Sequence, residues 1–262
     1  TVWNRTRERA AALIEAGAVT AESPAAAARR ADAVITMVAD PEALRAVTRG
    51  RDGIAAGART GTTVIEMSTV GPTAVSELAD AVRGRAELLD APVLGSLNEA
   101  ESGSLKIFVG GHASLVERWT PLLEVLGSPI HVGPLGAGAS AKLVANSTLF
   151  GSLALLGEAL ALADRLGLER RAAYEVLAGT PLAAQAERRR DAIESGEYPP
   201  RFSLSLALKD ADLIADAAAA TGAELRLAPA ARSWLADAET AGWGDRDYAA
   251  LLAYILAAGR PG

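Results

Sequence analysis

Gly136-Ala137-Gly138-Ala139-Ser140-Ala141-Lys142-Leu143-Val144-Ala145-Asn146 is the stretch at which this chain changes character. Upstream of it, short apolar runs alternate with helix-like segments; downstream, every periodic segment is helical. It also opens the longest apolar-periodic segment in the sequence, which runs through Leu149, Leu153, Leu156, Leu160 and Leu162 to Gly167. The small residues at its start let another backbone, or a ligand, come close. Lys142 and Asn146 are four apart, so on a helix they share a face, one turn above the other. A lysine beside an amide on one face, just after a glycine-rich entry, is able to hold a polar substrate and move a proton. The same pattern also suits a surface lysine on an amphipathic helix.

Composition bears on that choice. The basic residues divide into 23 arginines and only three lysines, Lys106, Lys142 and Lys209. Arginine does not give up its proton in a protein, whereas lysine changes protonation state when burial lowers its pKa. Each lysine is therefore a candidate for a task that arginine cannot perform.

The 262 residues are enough for one large core or two moderate ones. A net charge of −6 and a pI near 5.1 argue against a nucleic-acid surface or an anionic membrane as the main partner. No uninterrupted apolar run reaches the ~18 residues of a membrane helix, and no secretory leader pattern opens the chain, so the expected location is the cytoplasm. With no cysteine there is no disulfide framework and no thiolate nucleophile or metal site. His112 and His131 lie in unrelated contexts, so no metal is expected.

Working outward from the central stretch, the N-terminal side reads as alternating strands and helices. Thr1-Val2-Trp3 ends a strand, followed by a helix over 7–15 closed by Gly17. Residues 33–38 form a nearly continuous apolar run, as expected for a strand buried on both faces of a parallel sheet. Asp40-Pro41 caps a helix to Val47. Strands are expected over 62–67, 88–90, 106–109 and 130–132, with helices over 72–82 and 114–126. That alternation implies a doubly wound, Rossmann-type α/β domain over 1–133. Residues 134–262 are expected to form an all-α substrate and dimerisation domain, entered through the long helix over 139–166. Further helices are expected over 171–178, 182–194, 204–220, 227–238 and 248–258. Alanine-rich helical faces pack closely, so a homodimer or larger homo-oligomer is expected.

A doubly wound sheet binds nucleotides at the carboxyl ends of its strands. The GxGxxG fingerprint between a first strand and its helix is missing. Gly133-Pro134-Leu135-Gly136-Ala137-Gly138 has the spacing GxxGxG at the far end of the domain, and reads as the domain junction. Asn4-Arg5-Thr6 follows a strand end, where a carboxylate would suit the ribose of NAD and an arginine the 2′-phosphate of NADP. Ser68-Thr69, at another strand end, offers a hydroxyl pair for a ligand or a plain helix-capping turn.

Taken in order, these pieces resemble the β-hydroxyacid dehydrogenase family, which includes 3-hydroxyisobutyrate dehydrogenases and glyoxylate and succinic semialdehyde reductases. Asn4-Arg5-Thr6 is similar to the family's NADP motif, and Met37-Val38-Ala39-Asp40 to its cofactor-lining strand end. Ser68-Thr69-Val70-Gly71-Pro72 resembles the stretch whose threonine touches the cofactor. Asp90-Ala91-Pro92-Val93-Leu94-Gly95-Ser96 resembles the substrate loop, continued in 100–105 and 109–111. Gly136-Ala137-Gly138 with Lys142 and Asn146 resembles the catalytic signature, and Phe202 with Lys209-Asp210 the motif that closes over the nicotinamide.

The resemblance implies an NADPH-dependent oxidoreductase that reduces a small aldehyde or keto acid, reversibly a hydroxyacid dehydrogenase. Lys142 would be the proton donor and Asn146 its orienting partner. Asn4, Arg5, Thr6, Met37, Val38, Ala39, Thr69 and Lys209 would contact the cofactor. Ser68, Leu94, Gly95, Ser96, Phe202 and Asp210 would line the substrate. Two departures stand out: the family's first strand, GxGxxG turn and helix have no counterpart in this sequence, and Leu94 replaces a serine. Gly95-Ser96 places the loop nearer the glyoxylate and succinic semialdehyde reductases. An imine reductase on the same scaffold is the alternative, although such enzymes generally lack the lysine. A non-catalytic NADP-binding interaction module is the third reading, which a lost lysine would have favoured.

Overall fold

The computed structural model describes residues 1–258. Its contacts divide the chain into two units, Thr1–Lys142 and Leu143–Gly262. The division falls inside the long helix, nine residues past the 133/134 boundary read from the sequence.

The first unit is α/β. After a 3-10 turn at Arg7–Ala10 come α1 (Ala11–Glu15), α2 (Pro24–Ala28), β1 (Ala33–Thr36), α3 (Pro41–Thr48), α4 (Ile54–Gly57), β2 (Thr62–Glu66) and α5 (Gly71–Val82). β3 (Ala86–Asp90), β4 (Val93–Leu94), α6 (Leu97–Glu101), β5 (Leu105–Gly110), α7 (Ala113–Leu126) and β6 (Gly127–Gly133) follow. Residues 1–3, expected to end a strand, make an isolated parallel bridge, Val2 to Thr20. As expected, Asp40 caps α3 by accepting a hydrogen bond from Ala43 N at 2.7 Å.

The strands form one sheet in the order β1-β2-β3-β5-β4, with β6 also paired to β5. β1, β2 and β3 run parallel, as do β5 and β6, but β5 is antiparallel to both β3 and β4. The sheet is therefore mixed, with β5 the strand that runs against β3 and β4. Ala91-Pro92 breaks one strand path into β3 and β4, and the chain returns through α6 along the same two segments. β2 is buried at all five positions. β1 is not: Val34 and Val38 pack on the core beneath α3 and α5, while Ile35 is 45% and Met37 60% exposed. The expected burial on both faces holds for β2 and fails for β1, which lies at the sheet's edge and whose second face is covered at Ala33 but open at Ile35.

α8 (Ala137–Arg165) begins in the first unit and continues into the second. α9 (Arg170–Ala178), α10 (Ala183–Ser195), α11 (Leu204–Thr221), α12 (Leu227–Ala238) and α13 (Leu251–Ala258) complete the second unit, which among the described residues is all helical apart from a single bridge, Ser203 to Asp247. The molecule is therefore a Rossmann-type α/β domain followed by an all-α domain entered through a long helix. α8 is long and apolar enough to cross a membrane by length and composition alone. Its Leu143, Phe150, Leu153, Leu156 and Leu160 are instead buried in one cluster with Tyr174, Leu204, Leu235 and Leu252. That is the pattern of a core helix.

Candidate active site

The carboxyl ends of β1 and β2 are tied together by a buried carboxylate. Glu66, the last residue of β2, is 1% exposed. Its Oε1 accepts a hydrogen bond from Ser68 N at 2.6 Å, and its Oε2 accepts one from the Thr36 hydroxyl at the end of β1. The Ser68 hydroxyl also bonds Glu66, and it accepts a hydrogen bond from Val38 N at 2.7 Å. Two of the predicted cofactor-lining segments, Met37-Val38-Ala39 and Ser68-Thr69, are thus brought side by side. Met37 and Ala39 are exposed there, Val38 and Thr69 half-buried. Ser68, predicted to face substrate, is buried, and its hydroxyl is engaged by Val38 and Glu66. Burial pushes the Glu66 carboxyl above the usual carboxylate range. The hydrogen bonds from Ser68 and Thr36 oppose that rise, and the nearby Asp90 charge adds to it.

Asp90, its register partner on β3, does a different job. It is fully buried, and its Oδ1 accepts from Gly136 N at 2.8 Å and its Oδ2 from Ala139 N at 2.6 Å. Ala139 is in the first turn of α8 and Gly136 immediately precedes it, where backbone N–H groups have no partner within the helix. Burial pushes the Asp90 carboxyl upward, against the pull of the Ala139, Gly136 and Gly138 amides. A Cβ on Gly138 would lie 2.3 Å from Phe108 O and 2.9 Å from Asp90 Oδ2. Only glycine lets the helix start approach the sheet this closely. The Gly-Ala-Gly signature therefore docks the start of α8 onto β3 and β5, within the first unit.

Lys142 lies on α8 three residues beyond Ala139 and is half-buried; Asn146 lies one turn further and is 1% exposed. Asn146 Nδ2 donates to Asp210 Oδ2 at 2.7 Å, and Lys209 Nζ is 2.5 Å from Asp210 Oδ1. Asn146 of the central stretch is thus joined to the Lys209-Asp210 pair on α11. Asn146 Oδ1, also buried, has no hydrogen-bond partner among the described residues. Phe202 lies just ahead of α11, its ring edge-on to Tyr248 at 5.4 Å. Asp247 holds this segment by accepting from Arg201 N at 2.9 Å and Phe202 N at 3.1 Å.

The predicted substrate loop carries local structure that the sequence reading did not include. Leu94 sits in β4 opposite Lys106 of β5. Ser96 and Glu99 form a capping box at the start of α6, with Ser96 N donating to Glu99 Oε2 at 2.7 Å. Asn4-Arg5-Thr6 forms an exposed turn of its own, in which Asn4 Oδ1 accepts from Thr6 N at 2.9 Å. A cavity of about 220 Å³ between α11 and α12 is lined by alanines with Ile214, Leu225 and Arg232, and by none of the predicted site residues. The sequence reading missed the roles of Glu66, Asp90 and Asp247. Their signal was a lone carboxylate closing an apolar strand or opening a helical turn.

Residues 1–135 match the family model for the NAD-binding domain of 6-phosphogluconate dehydrogenase, and residues 136–255 that for the NAD-binding domain of NADP-dependent 3-hydroxyisobutyrate dehydrogenase. The chain belongs to the β-hydroxyacid dehydrogenase family. As a β-hydroxyacid dehydrogenase it is an NAD(P)-dependent oxidoreductase of the CH–OH class. It is 33% identical to a 3-sulfolactaldehyde reductase of Escherichia coli (strain K12), over 93% of this chain and 83% of that protein. It is 31% identical to glyoxylate/succinic semialdehyde reductase 1 of Arabidopsis thaliana, over 96% and 88%. A solved 3-hydroxyisobutyrate dehydrogenase of Mycobacterium tuberculosis with L-serine superposes with a TM-score of 0.86 at 30% identity, covering 97% of this chain and 89% of that one.

Proposed function

We propose that this β-hydroxyacid dehydrogenase reduces a small aldehyde or keto acid with NADPH, and that Lys142 donates the proton. The observation that carries the reading is Asn146 Oδ1, a buried acceptor without a hydrogen-bond partner among the described residues, one turn beyond Lys142 on α8. A buried amide oxygen left unpaired is costly, and an ammonium donor from Lys142 or a substrate hydroxyl would satisfy it.

The residues at the carboxyl ends of β1 and β2 suit a dinucleotide. Met37 exposes an apolar side chain beside Ala39 where a flat ring would cover it, and Thr69 stands at the neighbouring strand end. Arg5, in its exposed turn, would pair with a 2′-phosphate, which supports NADPH over NADH. The nicotinamide, when bound, supplies hydride to the carbonyl carbon. Lys142 polarises the carbonyl oxygen and delivers its proton there as negative charge develops. Asn146 orients Lys142 through Oδ1, while Asp210 fixes the amide through Nδ2 and Lys209 balances the Asp210 charge. Gly95 and Ser96 receive the substrate's carboxylate. Val144, Leu155 and Leu162 are exposed along α8, as is Leu166 just past its end, and they support association of this chain with itself.

A panel of small aldehydes and keto acids, assayed with NADPH and with NADH, tests the proposal. Reduction of at least one carbonyl, faster with NADPH, is expected. No turnover of any with either cofactor would overturn it.

A further inference from the structure

Glu66 and Asp90 are register partners at the carboxyl ends of β2 and β3, both buried. Burying a carboxyl in a sheet interior is costly unless its hydrogen bonds are met. Both carboxyls have their hydrogen bonds, and the two point to different targets. Glu66 holds Thr36 and Ser68, and the Ser68 hydroxyl holds Val38 N, a relay that sets the spacing of the 37–39 and 68–69 segments. Asp90 holds the amides of Gly136 and Ala139, fixing the first turn of α8.

We infer that Glu66 and Asp90 are positioning residues with separate duties, Glu66 setting the edge that receives the cofactor and Asp90 setting the helix start that carries Lys142. The inference rests on the function proposed above. Lys142 follows Ala139 by three residues, about 4.5 Å of helix rise, so a displaced first turn displaces the lysine with it. A misplacement of about 1 Å in a reacting group costs roughly 10²-fold in rate. The fit around Asp90 is tight on both sides: a Cβ on Gly110 would sit 2.3 Å from Asp90 Oδ1, and one on Gly138 would sit 2.9 Å from Oδ2. The helix start has no room to settle elsewhere while this carboxylate remains. The hydrogen bonds of the Glu66 relay, in contrast, go to Thr36, Ser68 and, through the Ser68 hydroxyl, Val38, so its loss falls first on the strand ends.

The two duties are separated by measuring NADPH affinity and turnover independently. Glu66→Ala and Asp90→Asn are made in the intact protein, with thermal unfolding as a check on folding. NADPH affinity is read by nicotinamide fluorescence, and kcat is measured at saturating NADPH. Glu66→Ala is expected to raise the NADPH Kd about tenfold while kcat at saturation changes less than about twofold. Glu66→Gln, which keeps an acceptor, should restore most of the affinity. Asp90→Asn is expected to lower kcat by roughly 10²-fold while the NADPH Kd stays within about twofold. If either variant fails to fold, Glu66→Asp and Asp90→Glu, which change reach and keep charge, carry the same opposite expectations. Parallel losses of affinity and turnover in both variants would overturn the inference and leave the functional reading intact. A wild-type protein that neither binds NADPH nor reduces any carbonyl overturns both.

Discussion

Arg5 and Leu94 are single residues on which cofactor and substrate choice are proposed to depend. Arg5→Ala should weaken NADPH binding roughly 10–100-fold, the range for losing a charge-assisted hydrogen bond, and leave NADH nearly unaffected. Equal losses for both cofactors would make Arg5 structural. Leu94→Ser should raise activity on keto acids relative to uncharged aldehydes, because it returns a hydroxyl beside Gly95. An unchanged ratio in competition assays would mean that the carboxylate is held elsewhere. At this scale the sequence was informative where a residue's type is unusual for its place. Three lysines among 26 basic residues drew attention to Lys142, and also to Lys209, which pairs with Asp210. The Asn146 to Asp210 bond was not legible, because it joins residues 64 apart and nothing local encodes it.

Among the elements, the helices beyond Gly136 were the most legible: α12 spans Leu227–Ala238 as its apolar period requires, and α11 differs from expectation by one residue. β4 and α6 were not legible. β4 has two residues, too few for any period, and α6 is a five-residue turn whose capping box was hidden inside a motif read as a loop. β1 departs from expectation because the apolar run over 33–38 has the composition of a doubly covered strand, while its second face is covered at Ala33 and open at Ile35 and Met37. Glu66 gives the element scale its prediction. A carboxyl whose folded pKa is raised holds its proton more tightly in the native state. Its contribution to stability is complete below the ordinary range, near about 4.3 for Glu, and is lost as pH rises through the folded value. Burial raises Glu66, and Asp90 acts in the same direction. Thermal unfolding of the wild type should therefore lose stability as pH rises from the carboxylate range toward neutrality. Glu66→Gln should flatten that decline. Identical slopes for the two proteins would show that Glu66 is not the titrating group.

For the whole molecule, the change from alternating strands and helices to helices alone was written in the sequence, and α8 carries it across both units. The functional account converges on the residue that lies at that transition, so the most direct measurement is kcat for carbonyl reduction by Lys142→Ala and Lys142→Arg at saturating NADPH. Lys142→Ala should fold and bind cofactor as the wild type does while losing roughly 10²–10⁴-fold in kcat, the usual contribution of a positioned acid. Lys142→Arg should not rescue it, because guanidinium keeps the charge but does not release the proton. An alanine variant that reduces aldehydes at the wild-type rate would contradict the account.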